Sequence, residues 1–151
     1  IIDFLWYNKS RGIIGMKLRD RISWERDMEL VDGKWFNLTL PKRESFIEND
    51  IKYIQCDIIK NFFVAKTECL LDVQWDEKLK VAEHEDYFYR LSQTHWGVYF
   101  TNYLKACYKD FKPSAYNAKR KRMYGEYRKM LQEKYKISSW VKYEKGDALC
   151  D

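Results

Sequence analysis

The stretch KVAEHEDYFYRL, residues 80–91, decides how the rest of the chain is read. From Glu83 onward, Tyr87, Phe88, Leu91 and His95 recur at i, i+1, i+4 and i+8. That spacing lays apolar groups along one face of a helix running to about residue 94, which Gly97 ends. Its first turn holds Glu83, His84, Glu85 and Asp86. Unpaired backbone N–H groups and the helix dipole favour negative charge there, so acids at such a position are ordinary caps. A carboxylate held ionised and oriented at a helix start is also what a general base requires. Glu83 and Asp86 are three apart and share a side, whereas Glu85 points elsewhere.

Strand signals dominate upstream. IIDFLWY (1–7) reads as a buried strand, and GIIGMKLR (12–19) as a second whose glycines suggest close backbone approach or a bend. MELVDGKWFNLTL (28–40) sets Asp32-Gly33 between two alternating apolar runs, the strongest short-range hairpin signal, and Pro41 closes it. Residues 51–67 are β-branched and aromatic and read as one or two strands; ECLLDV is a short helix and Trp75-Asp76-Glu77 a turn. Downstream, residues 97–108 return to strand and Pro113 marks a break. A long helix over 116–135 then carries Tyr116, Met123, Tyr127, Met130 and Leu131 as its apolar face, with 119–122 mostly outward. The expectation is a mixed α/β chain, strands mainly first and helices mainly second.

Charge is uneven. The net +5 conceals nine Lys/Arg against two Glu between residues 112 and 136, which leaves about −2 for the remainder. The basic run Lys119-Arg120-Lys121-Arg122 reads first as a solvated helix face. Contact with a diphosphate or an anionic membrane surface comes second, and no nucleic-acid partner is expected. Four cysteines show no CxxC spacing, so a zinc site is not expected; free buried thiols are the first reading and one or two disulfides the alternative. His84 and His95 lack partners at metal spacing, so no metal site is expected within the chain. Sequons at Asn8 and Asn37 lean towards the secretory pathway. No apolar run approaches a membrane span. The opening Ile1 suggests a chain cut from something longer, with any membrane anchor upstream.

The run CDIIKNFFVAKTECLLDVQWDEKLKVAEHEDYFYRL (56–91) resembles the C-terminal half of the catalytic domain of β-1,4-N-acetylgalactosaminyltransferases of the GM2/GD2 synthase type. The matching positions are Asn61, Phe62, Phe63, Ala65, Thr67, Trp75, Asp76, Leu79, His84, Asp86 and Phe88, with Lys66 where the family has arginine. YNAKRKRMYGEYRKML (116–131) also looks like the basic helix that closes this region in the family.

The resemblance implies a GT-A-like mixed sheet flanked by helices. Residues 1–151 would form a single domain, the acceptor-binding part without the N-terminal nucleotide-binding half. It implies inverting transfer of a hexosamine or hexose from a nucleotide-sugar, UDP-linked by preference, to a glycan hydroxyl on a glycoprotein or glycolipid in the Golgi lumen. Asp86 would be the base and Glu85 or Glu83 would contact the acceptor. His84, Asn61, Phe63, Lys66, Thr67, Trp75 and Asp76 would line the substrate cleft. Two departures stand out: no Asp-x-Asp occurs, and residues 106–109 (ACYK) carry no histidine. The ligands of any manganese or magnesium ion would therefore lie outside this chain. The alternative is a carbohydrate- or nucleic-acid-binding domain that keeps the fold without the activity. A glycosidase pair is disfavoured, because carboxylates three apart on one helix cannot flank a glycosidic bond.

Overall fold

A computed structural model describes residues 2–18, 26–38, 45–60, 62–106 and 115–142. Its elements, in chain order, are α1 (Ile2–Tyr7), β1 (Arg11–Leu18), β2 (Asp27–Val31), β3 (Lys34–Leu38), β4 (Ser45–Glu48) and β5 (Ile51–Cys56). They continue with β6 (Phe63–Ala65), α2 (Thr67–Asp72), α3 (Glu83–Ser92), β7 (Gly97–Ala106), α4 (Ala115–Tyr135) and β8 (Ser139–Lys142). The strands form a five-stranded sheet ordered β4-β5-β7-β1-β6 and a three-stranded sheet ordered β2-β3-β8. This is a mixed α/β fold with helices flanking two sheets.

The central pair of the larger sheet, β1 and β7, is parallel, while β5 and β6 flank it antiparallel. Alternation along β1 sends Ile13 and Ile14 to opposite faces, and both are fully buried. Ile13 joins the main core with Phe100, Tyr87, Phe88 and Leu91 beneath α3. Ile14 joins a second core with Phe4, Leu5, Tyr53 and Tyr99 beneath α1.

That second core corrects the reading of residues 1–7 as a strand. The segment is helical over Ile2–Tyr7, burying Phe4 and Leu5 and leaving Ile2, Trp6 and Tyr7 exposed. An apolar run this short has no period that separates helix from strand. Moreover, β1 already has β6 on one side and β7 on the other, so it offers no free edge. Phe4 stacks on Tyr53 with ring centres 3.8 Å apart. The Arg11 guanidinium lies 3.8 Å over the other side of that arrangement, against Phe4, and grips Glu48 at 2.9 and 2.6 Å. Those two bonds tie β1 to β4 across the sheet.

Elsewhere local chemistry acts as read. Asp32 and Gly33 both take positive φ (48° and 73°), the mirror-image turn that matches strand twist, and β2 pairs β3 from Val31 with Lys34 outward. The glycines of β1 mark close approach. A Cβ on Gly15 would sit 2.8 Å from Ile59 Cδ1 and 3.1 Å from its Cβ, so the neighbour's branch point would have to move. We expect Gly15→Ala to destabilise the fold by about 1–3 kcal/mol, the cost of overpacking a filled core. Urea unfolding at constant m-value checks it, and an unchanged midpoint would contradict the packing described.

The helix from Glu83 is present and stops at Ser92, two residues short of the expected end near residue 94. The Thr94 hydroxyl donates to the Leu91 carbonyl at 2.7 Å and accepts the Trp96 N–H at 3.1 Å, which ends the helix early. His95 is consequently off the apolar face, exposed, with its ring against Trp96. Gly97 instead opens β7, its N–H on the Ser10 carbonyl at 2.6 Å. On α4, Tyr127 and Leu131 are buried and Met123 and Met130 partly so, as the spacing predicts, while Tyr116's side chain lies outside the described residues. Cys56 and Cys69 are buried thiols that form no disulfide, and burial lifts Cys69 to about 11. Cys107 and Cys150 lie outside the described residues, as do Pro41 and Pro113.

Candidate functional site

The first turn of α3 is where the chemistry gathers. It is entered through Ala82, which holds φ +64°, ψ 14° and offers no side-chain cap. A left-handed alanine costs energy, and such strain collects where a following group must be aimed. Helix α4 faces this turn, and the three acids meet it at successive levels.

Glu83 accepts from Arg120 Nη2 at 3.1 Å. Asp86 is wholly buried and accepts three hydrogen bonds: Lys134 Nζ at 2.7 Å and Tyr135 OH at 2.6 Å on Oδ1, and Arg90 Nε at 2.9 Å on Oδ2, where Arg90 Nη2 adds an ion-pair contact at 2.8 Å while donating to the Gln74 carbonyl. Both carboxylate oxygens of Asp86 are thus engaged by donors, two from α4 and one from α3. Lys134 also donates to Asp76 at 2.8 Å, bridging the two aspartates. Burial works against the Lys134 charge, but its two carboxylates outweigh that and raise its pKa. Asp76 is held below the usual carboxylate range by Lys134 and by the Lys78 backbone N–H. Tyr135 is pushed well up, by burial and by donating to Asp86.

Glu85 differs from both neighbours. It is partly exposed. Burial of its carboxylate and the nearby Glu83 charge raise its pKa, against its own backbone N–H and the charges of Arg128 and Arg26. The Tyr124 hydroxyl, also raised by burial and by Glu85, lies on the same side. A carboxyl poised above its ordinary range, beside cations and without a saturating set of donors, suits proton transfer better than a fully paired one.

His84 is buried between Trp75 (5.4 Å between ring centres) and Phe88 (5.9 Å), and burial lowers its pKa, so it is a neutral ring at pH 7. Trp75 stacks on Tyr87 at 4.1 Å and 13°, yet remains 37% exposed. Glu83, His84, Glu85, Asp86, Trp75 and Asp76 thus converge. Phe63 reaches the same helix from beneath, edge-on to Phe88 at 6.2 Å. Lys66 and Thr67 do not converge with them. They line a separate groove of about 800 Å³ with Leu5, Trp6, His95 and Trp96, and the Lys66 ammonium is spent on the Asn8 carbonyl at 2.9 Å. Asn61 lies outside the described residues.

Sequence reasoning missed the partners that α4 supplies: Arg120, Arg128, Lys134 and Tyr135. One trace was present. Lys134 follows Tyr127 and Leu131 at i+7 and i+3, on the apolar stripe, and a lysine placed there is normally paired. The acids do not suit a divalent cation. Asp86, Asp76 and Glu83 each already answer a lysine or arginine, and among the described residues no His/Cys/Asp/Glu cluster is arranged as a metal ligand set.

Comparison with family models, with curated proteins and with solved structures finds no match to this chain.

Proposed function

We propose that this chain is the acceptor-binding part of an inverting glycosyltransferase of GT-A type, with Glu85 as the general base. The single observation behind this is the partition of charge in the α3 turn. Two of its acids are neutralised by α4, and the third is left partly exposed with a raised pKa. The resemblance to the family favours Asp86 as base. Its three hydrogen-bond donors, two of them cations, fit it better as the anchor that fixes the turn.

The step balances simply. Glu85 takes the proton from an acceptor hydroxyl as that oxygen attacks the anomeric carbon of the donor sugar. The C–O bond to the nucleoside diphosphate breaks on the opposite face, and the diphosphate leaves with its electron pair. Trp75, stacked on Tyr87 and still exposed, supplies an apolar surface of the kind on which a pyranose face packs. The donor is proposed as a UDP-hexosamine or UDP-hexose and the acceptor as a glycan of a glycoprotein or glycolipid, in the Golgi lumen. No residue described here is assigned to a metal.

The test is acceptor binding by the chain followed by turnover in the full-length protein. Saturation-transfer NMR with neutral and acidic oligosaccharides should show contact that Trp75→Ala removes. Release of UDP from UDP-sugars should require an added acceptor. Binding without turnover would leave the carbohydrate-binding alternative, and absence of both would overturn the reading.

A further inference from the structure

Arg128 lies on α4 between Arg120 and Lys134, the cations that pair with Glu83 and with Asp76 and Asp86, and among the described residues it makes no hydrogen-bonded ion pair of its own. Arg120 answers Glu83 and Lys134 answers Asp76 and Asp86. Among the described residues Arg128 donates no hydrogen bond, and its Nε is buried without an acceptor. The guanidinium is nonetheless fixed in place, its central carbon 4.4 Å from the centre of the Trp140 ring. Trp140 has the same peculiarity: its indole Nε1 is buried with no acceptor. Trp140 in turn packs against Trp35, 5.4 Å between ring centres, so the platform belongs to the β3–β8 pair and is not a loose side chain.

Two unsatisfied buried donors in contact are uncommon, since each costs about 1–3 kcal/mol of desolvation that only an acceptor returns. Their position narrows the acceptor. The Arg128 charge acts on Glu85, so whatever occupies this spot lies beside the proposed base. Glu85 itself is not hydrogen-bonded to Arg128. A guanidinium pre-set on an aromatic face, partly exposed, presents the planar donor fork that carboxylate and phosphate oxygens fit in pairs.

We infer that Arg128, backed by Trp140, is an oxyanion-recognition site that holds a carboxylate or phosphate group of the substrate next to Glu85. The inference deepens the transfer reading, because it states that one of the reacting molecules is anionic near its reactive hydroxyl or leaving group. The anion site itself stands on geometry that does not depend on which reaction follows.

The experiment follows the Arg128 Nε–H and Trp140 Nε1–H resonances of the ¹⁵N-labelled chain while inorganic phosphate, UDP and glucuronate are added separately at constant ionic strength. Both resonances should move with a saturable dependence on at least one of the three. Movement with phosphate and UDP assigns the site to a donor diphosphate; movement with glucuronate alone assigns it to an acidic sugar. Arg128→Gln should weaken the binding about tenfold or more. Arg128→Lys, which keeps the charge but loses the fork, should recover only part of it. Unchanged melting temperatures in both variants would separate recognition from folding, and the wild-type titration needs no variant at all. If neither resonance responds to any of the three anions, or if Arg128→Gln binds as wild type does, the site is refuted. If the anion binds but no sugar is ever transferred, the anion site stands and the transferase reading falls.

Discussion

Replacing Asp86 with Asn should lower stability by about 2–4 kcal/mol, the largest single loss expected in this chain. The variant keeps the shape of the side chain and removes its charge. One oxygen becomes an NH₂ that faces Lys134 and Tyr135 or Arg90, all of them donors. Breaking a wholly buried ion pair typically costs about 3–5 kcal/mol. The figure here is lower because Arg90 and Lys134 remain 30% and 35% exposed and regain water, whereas Asp86 does not. At this chain length the loss corresponds to roughly 10 °C in melting temperature. Thermal unfolding by circular dichroism checks it. Lys134→Met should cost much less, since Asp86 keeps Arg90 and Tyr135. An Asp86→Asn variant of unchanged stability would mean that Arg90, Lys134 and Tyr135 do not form the anchor described.

Glu85→Gln should act in the opposite direction on stability and should abolish the proposed activity. Loss of a general base costs about 10²–10⁴-fold in turnover. The stability effect comes from the raised pKa of Glu85. The folded state holds the proton more tightly than the unfolded chain does. Stability therefore falls as pH rises from the ordinary carboxylate range through the folded pKa, and the ionised form is the destabilised one at neutrality. Gln removes that penalty. The variant should melt higher than wild type at pH 7, and the difference should vanish once the pH drops below the ordinary carboxylate range. A variant that is dead and stabilised marks a group kept for function. A variant that is destabilised at pH 7, or that turns over normally, would remove Glu85 from the mechanism.

How much of this the sequence disclosed depended on how local the cause was. The Asp32-Gly33 turn was legible because two adjacent residues suffice to set it. The start of α3 and the apolar face of α4 were legible from a 3.6-residue period over several turns. The first helix was not, because six mostly apolar residues carry no period and its conformation is settled by Tyr53 and Tyr99 on distant strands. The acid cluster could be seen, but not its division of labour. Which of Glu83, Glu85 and Asp86 is neutralised depends on Arg120, Lys134 and Tyr135, residues from a helix that begins more than twenty positions after α3 ends. Likewise Lys66 and Thr67 sit close in sequence to Phe63, yet the turn into α2 carries them to another surface.

The pairing of β1 with β7 has a bearing on how the chain reaches this structure. Ile13 sits beside Val98 and Lys17 beside Lys105 at the middle of the larger sheet, and β5 joins that sheet through β7. In the smaller sheet Trp35 must wait for Trp140. Among the described strand pairs only the β2–β3 and β4–β5 hairpins can close early on local contacts. The other described strand pairs are committed late, by strands distant in sequence, which predisposes the chain to slow, topology-limited folding. During synthesis β1, with its run of Ile13 and Ile14, would stand without its parallel neighbour until residue 106 had emerged, the interval in which an unpaired apolar strand is most open to the wrong partner.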